Sequence, residues 1–199
     1  MRYNPVVLPV APPTVFPPAG RRTPALAPCV ATVGNFDGVH VGHAAIVHRL
    51  RDMARRQGVP AAVLTFDPHP ATILRPATAP RPLTTPARRA ELLLALGVDA
   101  VFVQPVDGRL VAIEAEDFYA GLLRERLAVR GLVEGADFHF GAGRRGTVAL
   151  LAELCRADGI ELATVEPVER GGEAVSSSRL RRLIAAGSVA EANALLTAP

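Results

Sequence analysis

The decapeptide Gly34-Asn35-Phe36-Asp37-Gly38-Val39-His40-Val41-Gly42-His43 carries the densest chemistry in the sequence. His40 and His43 stand three residues apart at the start of a helical stretch, so both imidazoles reach one small volume. Gly34 and Gly38 permit a tight turn with close backbone approach, and Gly42 leaves room beside the first helical turn. Free N–H groups and the positive end of the helix dipole attract phosphate at such a place. The same pair could supply two zinc ligands, but no third His or Cys has comparable standing, so no metal ligands are assigned. The bland alternative is two polar histidines near a helix start, with glycines that only serve a turn.

Ser176-Ser177-Ser178 followed by Arg181 forms a second candidate anion site, made of hydroxyls, helix N–H groups and a guanidinium. An ordinary helix cap with a solvated Arg is the competing reading. Asp137, between glycine and aromatics at a strand end, could bond a polar ligand or merely stabilise its turn. His69 lies between Pro68 and Pro70, where a surface histidine without function is also common. Arg144 and Arg145, flanked by Gly143 and Gly146, suggest either a mobile basic loop or a solvated charge pair.

The elements that position these residues alternate short β-branched runs with longer helical stretches. Strands are expected at Val30–Val33, Ala61–Phe66, Ala100–Val103, Gly131–Glu134 and Glu161–Val165. Helices are expected at about 42–57, 88–96, 114–127, 147–158, 178–186 and 189–196. Residues 67–82 read as a proline-rich loop or lid with one turn of helix near 71–74, and Glu173–Val175 as a short strand after a Gly171-Gly172 turn. Strands separated by helices mean an α/β fold: a mostly parallel five- or six-stranded sheet with helices on both faces. Ligands bind such sheets beyond the carboxyl ends of the strands, where three of the motifs fall.

At 199 residues the chain suits one sizeable core. It divides into a proline-rich arm, residues 1–28, and a single domain, residues 29–199. The arm has eight prolines and no acidic residue, and its broken apolar stretches do not make a signal peptide. No apolar run reaches the roughly 18 residues that span a bilayer. There is no Lys, which excludes a catalytic lysine, and a net charge of +3 with 5% aromatics argues for no nucleic-acid partner. Cys29 and Cys155 fit two reduced thiols in a cytoplasmic setting. Oligomeric state is not readable.

The first motif resembles the H-x-G-H signature of adenylyl- and cytidylyltransferases. In that superfamily the histidines hold nucleotide phosphates and stabilise the pentavalent transition state without a covalent intermediate. Later segments narrow the resemblance. Thr65-Phe66-Asp67-Pro68-His69-Pro70, Gly135-Ala136-Asp137-Phe138-His139-Phe140-Gly141 and Ser176-Ser177-Ser178-Arg179-Leu180-Arg181 are similar, in order, to elements of bacterial FAD synthetases. The chain is thus identified as a member of the bifunctional riboflavin kinase/FMN adenylyltransferase family over its adenylyltransferase module. The resemblance implies a Rossmann-like nucleotidyltransferase fold and transfer of AMP from ATP to FMN, giving FAD and pyrophosphate, with Mg2+ held mainly by the ATP phosphates. It implies catalytic roles for His40, His43 and Arg181. ATP contacts fall to Gly34, Asn35, Phe36, Asp37, Gly42, Ser176, Ser177 and Ser178, and FMN contacts to Phe66, Pro68, His69, Asp137 and Phe138. Ser178 stands where the family has Thr, and Ala174 where a polar residue is frequent. The sequence stops where family members continue into a kinase barrel and lacks a Pro-Thr-Ala-Asn motif, so riboflavin phosphorylation is not expected of it. The alternatives are a cytidylyltransferase-like enzyme that shares only the first motif, or a non-catalytic flavin- or nucleotide-binding module.

Overall fold

The computed structural model describes residues 14–16 and 28–198. A short strand, β1 (Thr14–Phe16), precedes β2 (Cys29–Val33), which leads into the long helix α1 (Val41–Gln57). Next come β3 (Ala61–Asp67), α2 (Ala71–Leu74), α3 (Pro86–Ala95) and β4 (Ala100–Pro105). One turn, α4 (Ala115–Asp117), widens at once into a π-helix over Phe118–Arg126, and β5 (Val129–Gly135) follows. The two-residue strands β6 (His139–Phe140) and β7 (Gly146–Thr147) pair with each other ahead of α5 (Val148–Asp158) and β8 (Glu161–Val165). A small hairpin of β9 (Glu169–Arg170) and β10 (Glu173–Ala174) then introduces α6 (Ser177–Ala185) and α7 (Val189–Leu195).

Six strands form one sheet in the order β1-β4-β3-β2-β5-β8, all parallel except β1. From β2 the chain winds outward through β3 to β4, then returns to the other side of β2 for β5 and β8. The winding therefore reverses between β2 and β5, and a crevice opens beyond their carboxyl ends, where ligands of such sheets bind. The first motif begins one residue after β2, at the mouth of this crevice.

Both faces of the sheet are covered, as its parallel strands require. Val47, Leu50 and Met53 of α1 and Ala90 and Leu93 of α3 pack on Val30, Val63, Val101 and Val133. On the other face Phe118, Tyr119, Leu122, Leu123, Leu151 and Cys155 cover Ala31, Leu64, Phe102 and Leu132. α1 lies close to β5 because Gly131 has no side chain there: a Cβ would come 2.5 Å from Met53 Sδ. Gly58, left-handed at φ 65°, ends α1, and its N–H donates to Ala54 O and Arg55 O. Among the described residues no helix is long and apolar enough to cross a membrane.

The structure departs from the sequence expectations in two places. Residues 118–126 wind as a π-helix where an α-helix was expected. Six successive buried residues, Phe118 to Leu123, leave no polar face there, so periodicity could not separate the two windings. The strand expected at 173–175 is found at Glu173–Ala174, where it pairs with β9 across the Gly171-Gly172 turn. Of the arm expected at 1–28, Thr14–Phe16 is part of the sheet, antiparallel to β4; apart from Pro28, the rest lies outside the described residues.

Glu134, near the end of β5, is 1% exposed. Its Oε1 accepts the Val33 N–H at 2.9 Å, and the Thr32 hydroxyl lies 3.5 Å from Oε2. Burial pushes this carboxyl well above the ordinary glutamate range, although both donors pull it down. The folded protein keeps a proton that the unfolded chain releases, so stability falls as pH rises above the unfolded value. Glu134→Gln retains the acceptor and cannot ionise. It should be more stable than the wild type near about pH 8 and lose that advantage near about pH 4, in urea denaturation at both values. Parallel pH profiles for the two proteins would refute a protonated Glu134.

Candidate active site

The turn between β2 and α1 is built from the backbone outward. Phe36 holds a left-handed conformation at φ 47°, an arrangement that costs a side-chain-bearing residue about 1–2 kcal/mol. It is 3% exposed, with its ring over Gly34 and its centroid 4.9 Å from that of His43. Gly38, at φ 79°, has no space for a side chain: a Cβ would meet Leu83 Cδ1 at 2.7 Å. Gly42 is confined similarly, by the His40 ring at 3.1 Å and Val175 O at 3.4 Å.

His40 is the N-cap of α1, and the two histidines cap the helix reciprocally. His43 N–H donates to His40 Nδ1 at 3.3 Å, and His40 N–H donates to His43 Nδ1 at 3.3 Å. The rings stack with centroids 3.6 Å apart and planes 16° from parallel. Because each Nδ1 accepts, the proton of each neutral ring sits on Nε2. Burial lowers the His40 pKa to about 4. Burial also holds His43 well below its ordinary value, with His40 and Arg89 pushing the same way.

Beneath the histidines lies a buried charge cluster centred on Asp37, which is 2% exposed. Its carboxylate accepts the N–H groups of Leu83 (3.1 and 2.9 Å) and Thr84 (2.9 Å) and the Thr84 hydroxyl (2.9 Å). Arg181 Nη2 forms an ion pair with it, and Arg89 Nη2 lies 3.6 Å away. Burial alone would raise the Asp37 pKa, but the Leu83 and Thr84 donors and Arg89 outweigh it and the net shift is downward. Asp37, expected among the ATP contacts, therefore has its carboxylate occupied by protein donors, and the structure gives it the work of holding the turn together.

Sequence reading missed Arg89. It is 5% exposed, and its Nη1 donates to the Thr65 hydroxyl (3.1 Å) and to Phe66 O (3.0 Å). The Thr65 hydroxyl donates in turn to Asn35 O at 2.9 Å. One guanidinium so ties the end of β3 to the histidine turn. The only available signal was a basic residue amid the apolar pattern of α3, at Ala90, Leu92 and Leu93.

The three hydroxyls before Arg181 have different positions. Ser176 Oγ caps α6 by accepting Arg179 N–H at 3.2 Å, and Ser177 Oγ donates to Asp37 O at 2.8 Å. Ser178 is exposed at the first turn of α6. Arg181 also donates through Nε to Arg81 O at 2.7 Å. His69 accepts Ala71 N–H on Nδ1 at 3.0 Å, which places its proton on Nε2 as well. Its pKa is lowered first by burial and then by Arg181, Arg89 and Arg75, with Asp37 opposing them, so it shares the field of the cluster. Phe66 packs partly against the core, and Pro68 is exposed beside it.

Asp137 and Phe138 sit at the end of β5, the strand next to β2. Asp137 is exposed, whereas Phe138 stacks on Phe140 (5.5 Å, 12°) and packs against the core. The following loop is tied down. Arg145 Nη2 grips both oxygens of Glu114 at 2.6 and 2.8 Å, and Ala142 N–H donates to Ile113 O at 2.7 Å. A separate cleft lined by Arg124, Arg130, Asp158 and Glu161 opens at the amino ends of β5 and β8, away from this site. Its acids are already paired with Arg124, Arg56 and Gln57.

A family model described as FAD synthetase matches residues 22–179. The chain is 40% identical over 171 residues to a bifunctional riboflavin kinase/FMN adenylyltransferase of Pseudomonas fluorescens, a match covering 86% of this chain and 55% of that one. It is 32% identical over 171 residues to a FAD synthetase of Listeria monocytogenes, covering 85% and 69% of the two chains. A crystal structure titled as a macrolide-efflux protein from Streptococcus pneumoniae superposes with a TM-score of 0.76 at 29% identity, over 86% of this chain and 56% of that one. The chain spans about half the length of the bifunctional relatives it matches.

Asp37 provides a direct test of the cluster. Its depressed pKa means that its stabilisation is present above the ordinary aspartate range and lost as pH falls through the folded value. Asp37→Asn leaves Arg89 and Arg181 without their counter-charge and should cost about 3–5 kcal/mol in urea denaturation near neutrality, with a smaller cost in acid. A loss under about 1 kcal/mol at neutral pH would show that the pairing does not hold the turn.

Proposed function

This chain belongs to the FAD synthetase family, and from that premise we propose that it transfers the AMP part of ATP to FMN, giving FAD and pyrophosphate. The observation that carries the reading is the pair of neutral histidines whose Nε2–H groups are fixed by reciprocal Nδ1 caps. They stand at the first turn of α1, where the N–H groups of Val41 and Gly42 have no carbonyl of their own helix to bond. Two directional donors beside a helix N-terminus suit a phosphate whose charge grows during reaction.

In the proposed reaction an FMN phosphate oxygen attacks the α-phosphorus of ATP in line. The bond from that phosphorus to the β-bridging oxygen breaks, and pyrophosphate leaves with the electron pair. The FMN phosphate is already anionic near neutral pH, so no side chain has to remove a proton, and catalysis rests on positioning and charge stabilisation. His40 and His43 donate to the α-phosphate oxygens. Ser178, Arg181 and the first turn of α6 hold the leaving pyrophosphate, while Pro68, His69, Asp137 and the edge of Phe138 shape the FMN side. Mg2+ would be held mainly by the triphosphate oxygens and water and would supply charge neutralisation there; the Asp37 oxygens are taken by protein donors. A cytoplasmic setting, where such substrates and free thiols are found together, suits buried Cys29 and Cys155.

Purified protein mixed with MgATP and FMN should yield FAD and pyrophosphate in equal amounts. His43→Ala should lower kcat by roughly 10²–10³ with FMN affinity little changed, because its donor matters most as charge builds on the phosphate. With His40 at about 4 and His43 also depressed, wild-type kcat should show no histidine ionisation between about pH 6 and 8. Turnover of CTP with another acceptor, or tight binding without product, would displace this reading.

A further inference from the structure

The last described residues come back to the histidine turn. Leu196 forms an antiparallel bridge with His40, and Thr197 donates twice to Val39 O, from its N–H at 3.2 Å and its hydroxyl at 2.7 Å. The segment is anchored from below: Leu195 and Ala192 of α7 pack with Val175 and Leu180, and Val41, Leu83 and Leu196 close around them. Residues 188–197 lie beyond the stretch that the family model matches.

The Val39 carbonyl and the His40 N–H are two ends of one planar peptide unit. Thr197 holds the oxygen end, and the nitrogen end donates to His43 Nδ1 at 3.3 Å. A turn of this plane would loosen the bond that keeps the His43 proton on Nε2 and would tilt the His40 ring stacked on it. The His40 ring lies so close to Gly42 that a Cβ there would come within 3.1 Å of it. On the reading that these rings meet the transferring phosphate, we propose that Thr197 is a positioning residue: its hydroxyl sets the aim of both histidines through the Val39–His40 peptide, from a distance of 157 positions in sequence between Thr197 and His40 (197 − 40).

Thr197→Val keeps the shape and the backbone bond but removes the hydroxyl, whereas Thr197→Ser keeps the hydroxyl. Misplacement of reacting groups by an ångström can cost about 10²-fold, so the smaller tilt here should lower kcat of the Val variant by about tenfold. KM for ATP and FMN should stay within about twofold, and the Ser variant should recover most of the rate. Nitrogen NMR on 15N-histidine protein, with five histidines to resolve, supplies a readout that needs no turnover. The His43 Nδ1 resonance should move in the Val variant and stay in place in the Ser variant. A lower melting temperature with unchanged kcat and an unmoved resonance overturns the proposal, as does a rise in KM at constant kcat. If the wild type makes no FAD, the proposed reaction fails, and the resonance alone decides whether Thr197 aims the pair.

Discussion

One buried carboxylate holds the working end of this molecule together. Asp37 joins the histidine turn to Leu83, Thr84 and Arg89 around the start of α3 and to Arg181 of α6, stretches far apart in sequence. A buried charge is tolerable only when paired and hydrogen-bonded, and here that demand is met by bringing these segments to a single point. Ser177 adds a second tether by donating to the Asp37 carbonyl. The loops around the crevice are therefore fixed by this electrostatic need together with the apolar packing of Leu83, Val175, Leu180 and Leu195.

The cluster and the histidines bring different things to the mouth of the crevice. Two guanidiniums face the buried Asp37 carboxylate, and Asp67 also acts on Arg89. Their charge helps to keep His43 and His69 neutral. The neutral rings contribute little net charge, but they contribute direction, because backbone caps fix their tautomers. Charge and direction thus come from different residues. A protonated His40 could no longer accept the His43 N–H on Nδ1, so depressed pKa values and ring orientation depend on each other.

Much of this was legible in the sequence where chemistry follows spacing. The Gly-His pattern after a buried strand located the turn and the helix start, and the hydroxyl run before Arg181 located the start of α6. What escaped notice depends on contacts between distant segments. Asp37 looked like a ligand contact, because nothing local reveals that Leu83, Thr84 and Arg181 converge on it. Arg89 was given no role until the fold enclosed it, and Glu134 read as a residue of a strand whose burial depends on its neighbour β2. Arg144 and Arg145 left mobility open because the partner of Arg145, Glu114, lies in another segment.

The two flanks of the sheet meet water differently. On one side β8 presents polar, exposed Glu161 and Thr164, the kind of edge that discourages a neighbour from adding a strand. On the other side β4 is Ala-Val-Phe-Val, an apolar edge that would invite another chain to pair with it, and β1 covers Val101, Phe102 and Val103. The cover strand is itself bounded in sequence by Pro12-Pro13 and Pro17-Pro18. Prolines have no N–H to donate to a sheet, which is why they suit the flanks of an edge strand. Three residues of β1 are thus enough to cover the part of β4 that would otherwise offer its backbone to a neighbour.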